Sequence, residues 1–298
     1  MIRKLLLLVL ILLAAPAAQA ANCGIAQPGT TQRVDVANTG RAMLLHFPKD
    51  MRPGARVPLL YVLHGSGGNG AAILKRSALA DTADRHGFIV AAPDGGIPVK
   101  DGFVWNIPGV PTITGKVPGP GDADDVAFVK AAVDWLVAER CVDRTRVYST
   151  GISGGGRMTS WLACVAADRF AAIAPVVGLR AGNPLDADKT QPDPATCKPS
   201  RPMPIIAFAG DKDTTNPIEG GGSPYWQYPM AAAERRWAAL NHCSFKRARR
   251  TVAASVYEER YTGCRARAEV VGRITIGGTH DWVADNEAMW TFLSRHRR

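Results

Sequence analysis

Apolar and polar positions along this chain change rhythm every dozen residues or so from residue 55 onward. Short, mostly apolar runs at 57–63, 88–92, 146–150, 170–177, 203–209 and 270–276 have the length of strands buried on both faces. Between them, 71–86, 126–140, 157–166, 228–242 and 285–295 show the helical spacing of apolar residues. Asp122, Asp124 and Asp125 precede the second of these, where carboxylates suit a helix N-terminus. Strands that alternate with helices predict an α/β fold, a mostly parallel central sheet with helices on both faces. Segments 31–36 and 41–47 are expected to add an antiparallel edge. Residues 95–121, rich in Gly and Pro, read as a long surface excursion. With no internal repeat and no linker, residues 21–298 are expected to form one domain.

The first twenty residues follow a different pattern. Arg3 and Lys4 precede an apolar run from Leu5 to Leu13, and Ala18-Gln19-Ala20 follows. That order predicts a signal peptide, residues 1–20, removed after Ala20. The run is shorter than the ~20 residues of a membrane span, so the expectation is export to the periplasm or the medium without stable membrane insertion. An oxidising destination makes the six cysteines candidates for disulfides, and no C-x-x-C pair or metal-type His/Cys spacing competes. Cys243 with Cys264 is the first choice, closing a loop between a helix and a β segment. The partners of Cys23, Cys141, Cys164 and Cys197 stay open.

Hydrophobic residues make up 46% of the 298 and charged ones 21%, enough for a sizeable core. The net charge of +10 becomes +8 without Arg3 and Lys4. The densest basic cluster, Lys246 to Arg250, reads as a solvated face. An exported chain without a binding-module pattern is not expected to bind nucleic acid.

Residues 149–158, STGISGGGRM, contain the pattern G-x-S-x-G centred on Ser153. A predicted strand precedes it and a helix follows. That context lifts a serine hydroxyl above the sheet edge, beside the free N–H groups of a helix start. A hydroxyl is a weak nucleophile at neutral pH and needs a base, which in turn needs an orienting carboxylate. In this kind of site the order is Ser, acid, His. Of the histidines after Ser153, His242 lies in a predicted helix and His296 in a terminal tail expected to fray. His280 follows the last predicted strand and is the candidate base. Asp211 and Asp213 both follow the strand ending at Ala209, and residue chemistry does not separate them. The amides of Gly154 and Ser66 are the candidate oxyanion donors. His64, last in a buried strand, reads as structural. Trp105, Tyr225, Trp226, Tyr228 and Trp282 could line an aromatic wall for an acyl group, with Trp105, Trp226 and Trp282 carried as substrate-binding candidates.

With these residues in place, the chain resembles the exported esterases that group polyhydroxybutyrate depolymerases with feruloyl and acetyl-xylan esterases. The resemblance spans most of the chain. It rests on the segments 61–66 (YVLHGS), 124–128 (DDVAF), 146–155 (RVYSTGISGG), 170–175 (FAAIAP), 237–243 (WAALNHC), 261–264 (YTGC) and 277–280 (GGTH). It implies an α/β-hydrolase fold and a serine esterase working through an acyl-enzyme, with no cofactor and no metal. The family pattern H-G-T-x-D-x-x-x-P aligns Gly210 and Pro217, which places the catalytic aspartate on Asp213. It also implies the Cys243–Cys264 pair. Two departures touch substrate preference: Ala209 replaces the histidine of that pattern, and Asp281-Trp282-Val283 replaces a common W-P-G. The expected substrate is a soluble or oligomeric ester with an aryl, short acyl or hydroxyalkanoate group. The competing readings are a serine peptidase of the same fold, from whose gating domain this length departs, and a non-catalytic binding module.

Overall fold

The computed structural model describes residues 23–139, 141–244 and 248–298. The expected signal peptide, and Lys246 and Arg247 of the basic cluster, lie outside the described residues. The first half of the chain runs β1 (Thr31–Val36), β2 (Arg41–His46), β3 (Val57–Leu63), α1 (Gly70–Ser77), α2 (Leu79–His86) and β4 (Ile89–Pro93). A small hairpin of β5 (Ile97–Val99) and β6 (Gly102–Val104) follows, then α3 (Asp125–Ala138), β7 (Val142–Ile152) and α4 (Gly154–Val165). The remainder is β8 (Ala172–Val176), β9 (Ile205–Gly210), α5 (Met230–Leu240), β10 (Ala248–Ala253), β11 (Val256–Tyr261), β12 (Val270–Thr275) and α6 (Asn286–Leu293).

Ten strands form one sheet in the order β1-β2-β4-β3-β7-β8-β9-β12-β11-β10. The central six, β4 to β12, are parallel, and an antiparallel pair flanks them at each end. Strand periodicity divides the apolar runs between two cores. Leu59, Tyr61 and Leu63 of β3 face the layer of α3, α4 and α5, where Val129, Leu162 and Trp237 are fully buried. Leu60 and Val62 face α1, α2 and α6, packed with Leu79, Phe88 and Trp290. Burial on both faces is why these runs carry no polar alternation.

The expected parallel sheet and its antiparallel edge at 31–47 are present. Three local expectations need correction. The 71–86 helix is two helices, broken at Ala78, which takes a left-handed conformation with φ 51. The Ser77 carbonyl at that break accepts from Asn286 Nδ2 at 2.8 Å, a partner contributed by the last helix of the chain. His296 is buried rather than frayed, its ring 4.8 Å from Phe292 and its carbonyl accepting from Tyr148 Oη. His242 lies just past α5 with φ 53, not within it.

Disulfides join Cys23 to Cys141, Cys164 to Cys197 and Cys243 to Cys264. The arginines of the basic cluster pair across the β10–β11 hairpin, Arg249 with Glu259 and Arg250 with Glu258. Among the described residues, no helix is long and apolar enough to cross a membrane.

Candidate active site

Four strands, β3, β7, β9 and β12, deliver their carboxyl ends to one edge of the sheet. β7 ends at Ile152 and α4 begins at Gly154, so Ser153 must make the whole turn. It does so with φ 54 and ψ −114, a conformation that costs a side-chain-bearing residue of order 1–3 kcal/mol. Its amide donates to the Val176 carbonyl at 3.0 Å, which fixes the turn to the next strand. The surrounding glycines are required by crowding. A Cβ on Gly155 would lie 2.1 Å from the Leu63 carbonyl oxygen, and one on Gly154 would lie 2.9 Å from the Ser66 amide nitrogen. The turn therefore packs directly on the loop after β3.

The Asp213 carboxylate is 1% exposed and its Oδ2 lies 2.8 Å from His280 Nδ1. Its Oδ1 accepts from the amides of Thr215 and Asn216, both at 2.8 Å. Burial works to raise the Asp213 pKa, but the His280 hydrogen bond and the Asn216 and Thr215 amides outweigh it and hold the carboxyl below its ordinary value. Asp211 serves a different purpose. Its Oδ1 accepts from the Gly277 amide at 2.6 Å, tying the loop after β9 to the loop that carries His280. The two aspartates that residue chemistry left equal are thus separated by geometry.

Ser153 and His280 line the same open cleft, together with residues 64–69, Ala72, Ile73, Arg76 and Ile152. Ser153 and His280 make no direct hydrogen bond in this structure. Hydrogen bonds between a hydroxyl and a candidate base often tighten only around substrate. The amide of Gly154 sits at the start of α4 and that of Ser66 in the neighbouring loop, both without a carbonyl partner among the described residues. Their closeness follows from the 2.9 Å contact above.

His64 has both ring nitrogens engaged. Nε2 accepts from the Gly95 amide at 2.9 Å, so Nδ1 carries the proton and donates to the Gly65 carbonyl at 2.8 Å. Burial lowers its pKa, and the ring serves to brace the loop. Asn216 is a residue the sequence did not single out. Its side chain is buried and donates to the Val177 carbonyl at 2.6 Å, while Val177 itself is held at φ 42, a rare value for a β-branched residue.

The aromatic wall is not assembled. Trp226 is 2% exposed, donates Nε1 to the Pro217 carbonyl and lies under the Arg180 guanidinium at 3.7 Å, away from the cleft. Tyr228 is fully buried, its hydroxyl donating to the Gly182 carbonyl. Trp282 packs half-buried against the core and donates to Asn286 Oδ1. Trp105 is buried too, donating to the His64 carbonyl, although one side of it lines a narrow recess beside Ser66 and Gly154. Each indole N–H has found an internal acceptor, as buried tryptophans do.

A model of the prolyl oligopeptidase family matches residues 81–189. Feruloyl esterase B of Piromyces equi is 30% identical over 263 residues, covering 86% of this chain and 45% of that protein. A putative esterase, NocK, of Nocardia uniformis is 35% identical over 196 residues, covering 64% of this chain and 50% of its own length. The chain thus spans about half the length of the curated relatives it matches. Among solved structures, an acetyl xylan esterase from Aspergillus awamori superposes with a TM-score of 0.63 at 16% identity, over 89% of this chain and 99% of that one. The depolymerase side of the sequence resemblance receives no support from these proteins. The chain is an α/β-hydrolase-fold relative of the feruloyl and acetylxylan esterases.

Proposed function

We propose that the chain is a serine hydrolase of carboxylic esters, exported after loss of residues 1–20, with residues 21–298 as its one catalytic domain. The observation that carries this reading is the buried Asp213 carboxylate 2.8 Å from His280 Nδ1, in a cleft shared with Ser153 on its strained turn. Ser153 Oγ attacks the ester carbonyl while His280 Nε2 takes its proton. The oxyanion accepts from the Gly154 and Ser66 amides, and His280 then protonates the departing alcohol. Water enters with His280 again as base, and acyl transfer to it frees the serine. Asp213 holds the ring in the productive tautomer and stabilises it when charged.

Three disulfides accord with an oxidising destination. The prolyl oligopeptidase match favours a second reading, a peptidase, but residues 81–189 include Ser153 and neither Asp213 nor His280. A panel of methyl ferulate, a short acetyl ester, hydroxybutyrate oligomers and aminoacyl-proline amides separates the readings. Hydrolysis of ferulate or acetate esters, abolished in Ser153→Ala, is expected. Wild-type rates in Ser153→Ala, or cleavage of the amides alone, would overturn the proposal.

A further inference from the structure

Arg157 and Arg180 have no part in the chemistry above, and their surroundings are unusual. Each is 6% exposed. Among the described residues neither has a carboxylate within ion-pair distance. Buried cations normally bring a counter-ion with them. Arg180 is largely compensated by its neighbours: it donates to the Tyr228 and Tyr225 carbonyls at 2.8 and 3.4 Å and lies against the rings of Trp226 and Tyr228. Arg157 is not. Its guanidinium faces the Tyr225 ring at 4.5 Å, Nη2 reaches only Ser66 Oγ at 3.5 Å, and Nε has no partner. Burial pushes Arg157 down to about 10 and Arg180 down to about 9, so both remain cations at neutral pH.

The two arginines line one small recess of about 20 Å³, walled by Ile107, Val110, Trp161 and Tyr225. Arg157 also lines the neighbouring recess, with Ser66, Trp105 and Gly154. Two residues of that lining, Ser66 and Gly154, are those whose amides receive the oxyanion. The under-used edge of Arg157, Nε with Nη2, is the fork that matches the two oxygens of a carboxylate.

We propose that this recess is an anion subsite, and that the preferred substrates are esters bearing a carboxylate a few bonds from the scissile carbonyl, bound by Arg157. The inference rests on the ester-hydrolase reading and narrows it to acidic esters. Arg180 adds a second positive charge and holds the 225–228 segment that backs Arg157. A purely structural role for Arg157 makes a different prediction: its loss would affect charged and neutral esters alike.

The test compares mono-4-nitrophenyl glutarate with its neutral methyl ester, using the full chain as wild type, Arg157→Lys and Arg157→Met. The ratio of the two kcat/KM values is read within each protein, so a general loss of activity cancels. The wild type is expected to favour the monoanion by at least about tenfold, Arg157→Lys to keep part of that preference, and Arg157→Met to bring the ratio to about one. If Arg157→Met does not fold, the wild-type ratio decides alone. Ready hydrolysis of the methyl ester without preference for the anion overturns the subsite and leaves the esterase reading intact. Hydrolysis of neither ester, with no labelling of Ser153 by a fluorophosphonate, overturns both.

Discussion

Two adjacent glycines at the turn provide a sharp test, because the same one-atom addition should damage activity at one and folding at the other. In Gly154→Ala the new Cβ meets Ser66 Oγ at 2.4 Å and Ser66 N at 2.9 Å. The hydroxyl can rotate away, but the amide cannot. Restoring an ordinary contact of ~3.5 Å moves the Ser66 backbone by roughly half an ångström. That is enough to spoil one oxyanion donor, for which a loss of about 10- to 1,000-fold in kcat is expected. Stability should hardly change, since alanine is the better helix former in the first turn of α4. In Gly155→Ala the Cβ meets Leu63 O at 2.1 Å, Leu63 C at 2.5 Å and His64 O at 2.6 Å. These are backbone atoms at the end of the central strand β3 and have nowhere to go. Overpacking of about 3 kcal/mol or more is expected, a fall in Tm of roughly 6–12 °C. Turnover of 4-nitrophenyl acetate at 25 °C and melting followed by circular dichroism read the two effects. Wild-type kcat in Gly154→Ala would refute the paired amides, and a wild-type Tm in Gly155→Ala would refute the close approach.

Asp213→Asn should lower kcat by about 10³–10⁴, because the amide can present its N–H to His280 and select the wrong tautomer. The fold holds the Asp213 pKa below its unfolded value, so the carboxylate stabilises above about pH 4 and that contribution is lost as the pH falls further. The Tm gap between wild type and variant is therefore expected to close on acidification. Burial raises the Asp125 pKa, against the pull of the Asn106 amide and Arg41. Removing the cation in Arg41→Met should raise it further, so the stability deficit of that variant in urea melts is expected to grow as the pH rises above the ordinary carboxylate range, reaching about 3 kcal/mol. Loops of 118 and 21 residues separate the outer two disulfide pairs. Replacing Cys23 and Cys141 by serine should cost about 5 kcal/mol in guanidinium melts, against about 3 kcal/mol for Cys243 and Cys264.

The parts of this molecule that were legible in the sequence are those where local and global preferences agree. Val57–Leu63 is apolar throughout because both of its faces are buried, and Gly151 to Gly156 has glycine at four of its six positions because a strand, a turn and a helix crowd one another there. The β10–β11 hairpin was not legible as two strands. Its charged residues stand in consecutive runs, Arg249-Arg250 on one strand and Glu258-Glu259-Arg260 on the other, and the pairing of Arg249 with Glu259 is visible only once the strands are side by side. Trp226 was hard to read for a related reason. Composition marks Trp226 as a large amphipathic ring, but only the fold brings Arg180, from a distant part of the chain, over its face. The break at Ala78 likewise depends on Asn286 from the last helix.

Residues 95–121 show most clearly how a loop in the sequence becomes part of the site. Read by composition they are a surface excursion, yet their first part is the frame of the oxyanion loop. Gly67 N donates to the Phe103 carbonyl and Phe103 N to the Gly68 carbonyl, both at 2.9 Å. Trp105 Nε1 donates to the His64 carbonyl, and the Gly95 amide to the His64 ring. The frame is itself pinned by one buried carboxylate. Asp125 accepts from the Gly96 and Asn106 amides and from Arg41 Nη2, each at 2.8 Å. Asp125 lies at the start of α3, far from Ser66 along the chain, but the route between them is short and consists of hydrogen bonds. An Arg41→Met enzyme that lost stability without any loss of kcat would show that this frame holds the fold and not the placement of the Ser66 amide. Loss of kcat under conditions where the variant is fully folded would tie the two together.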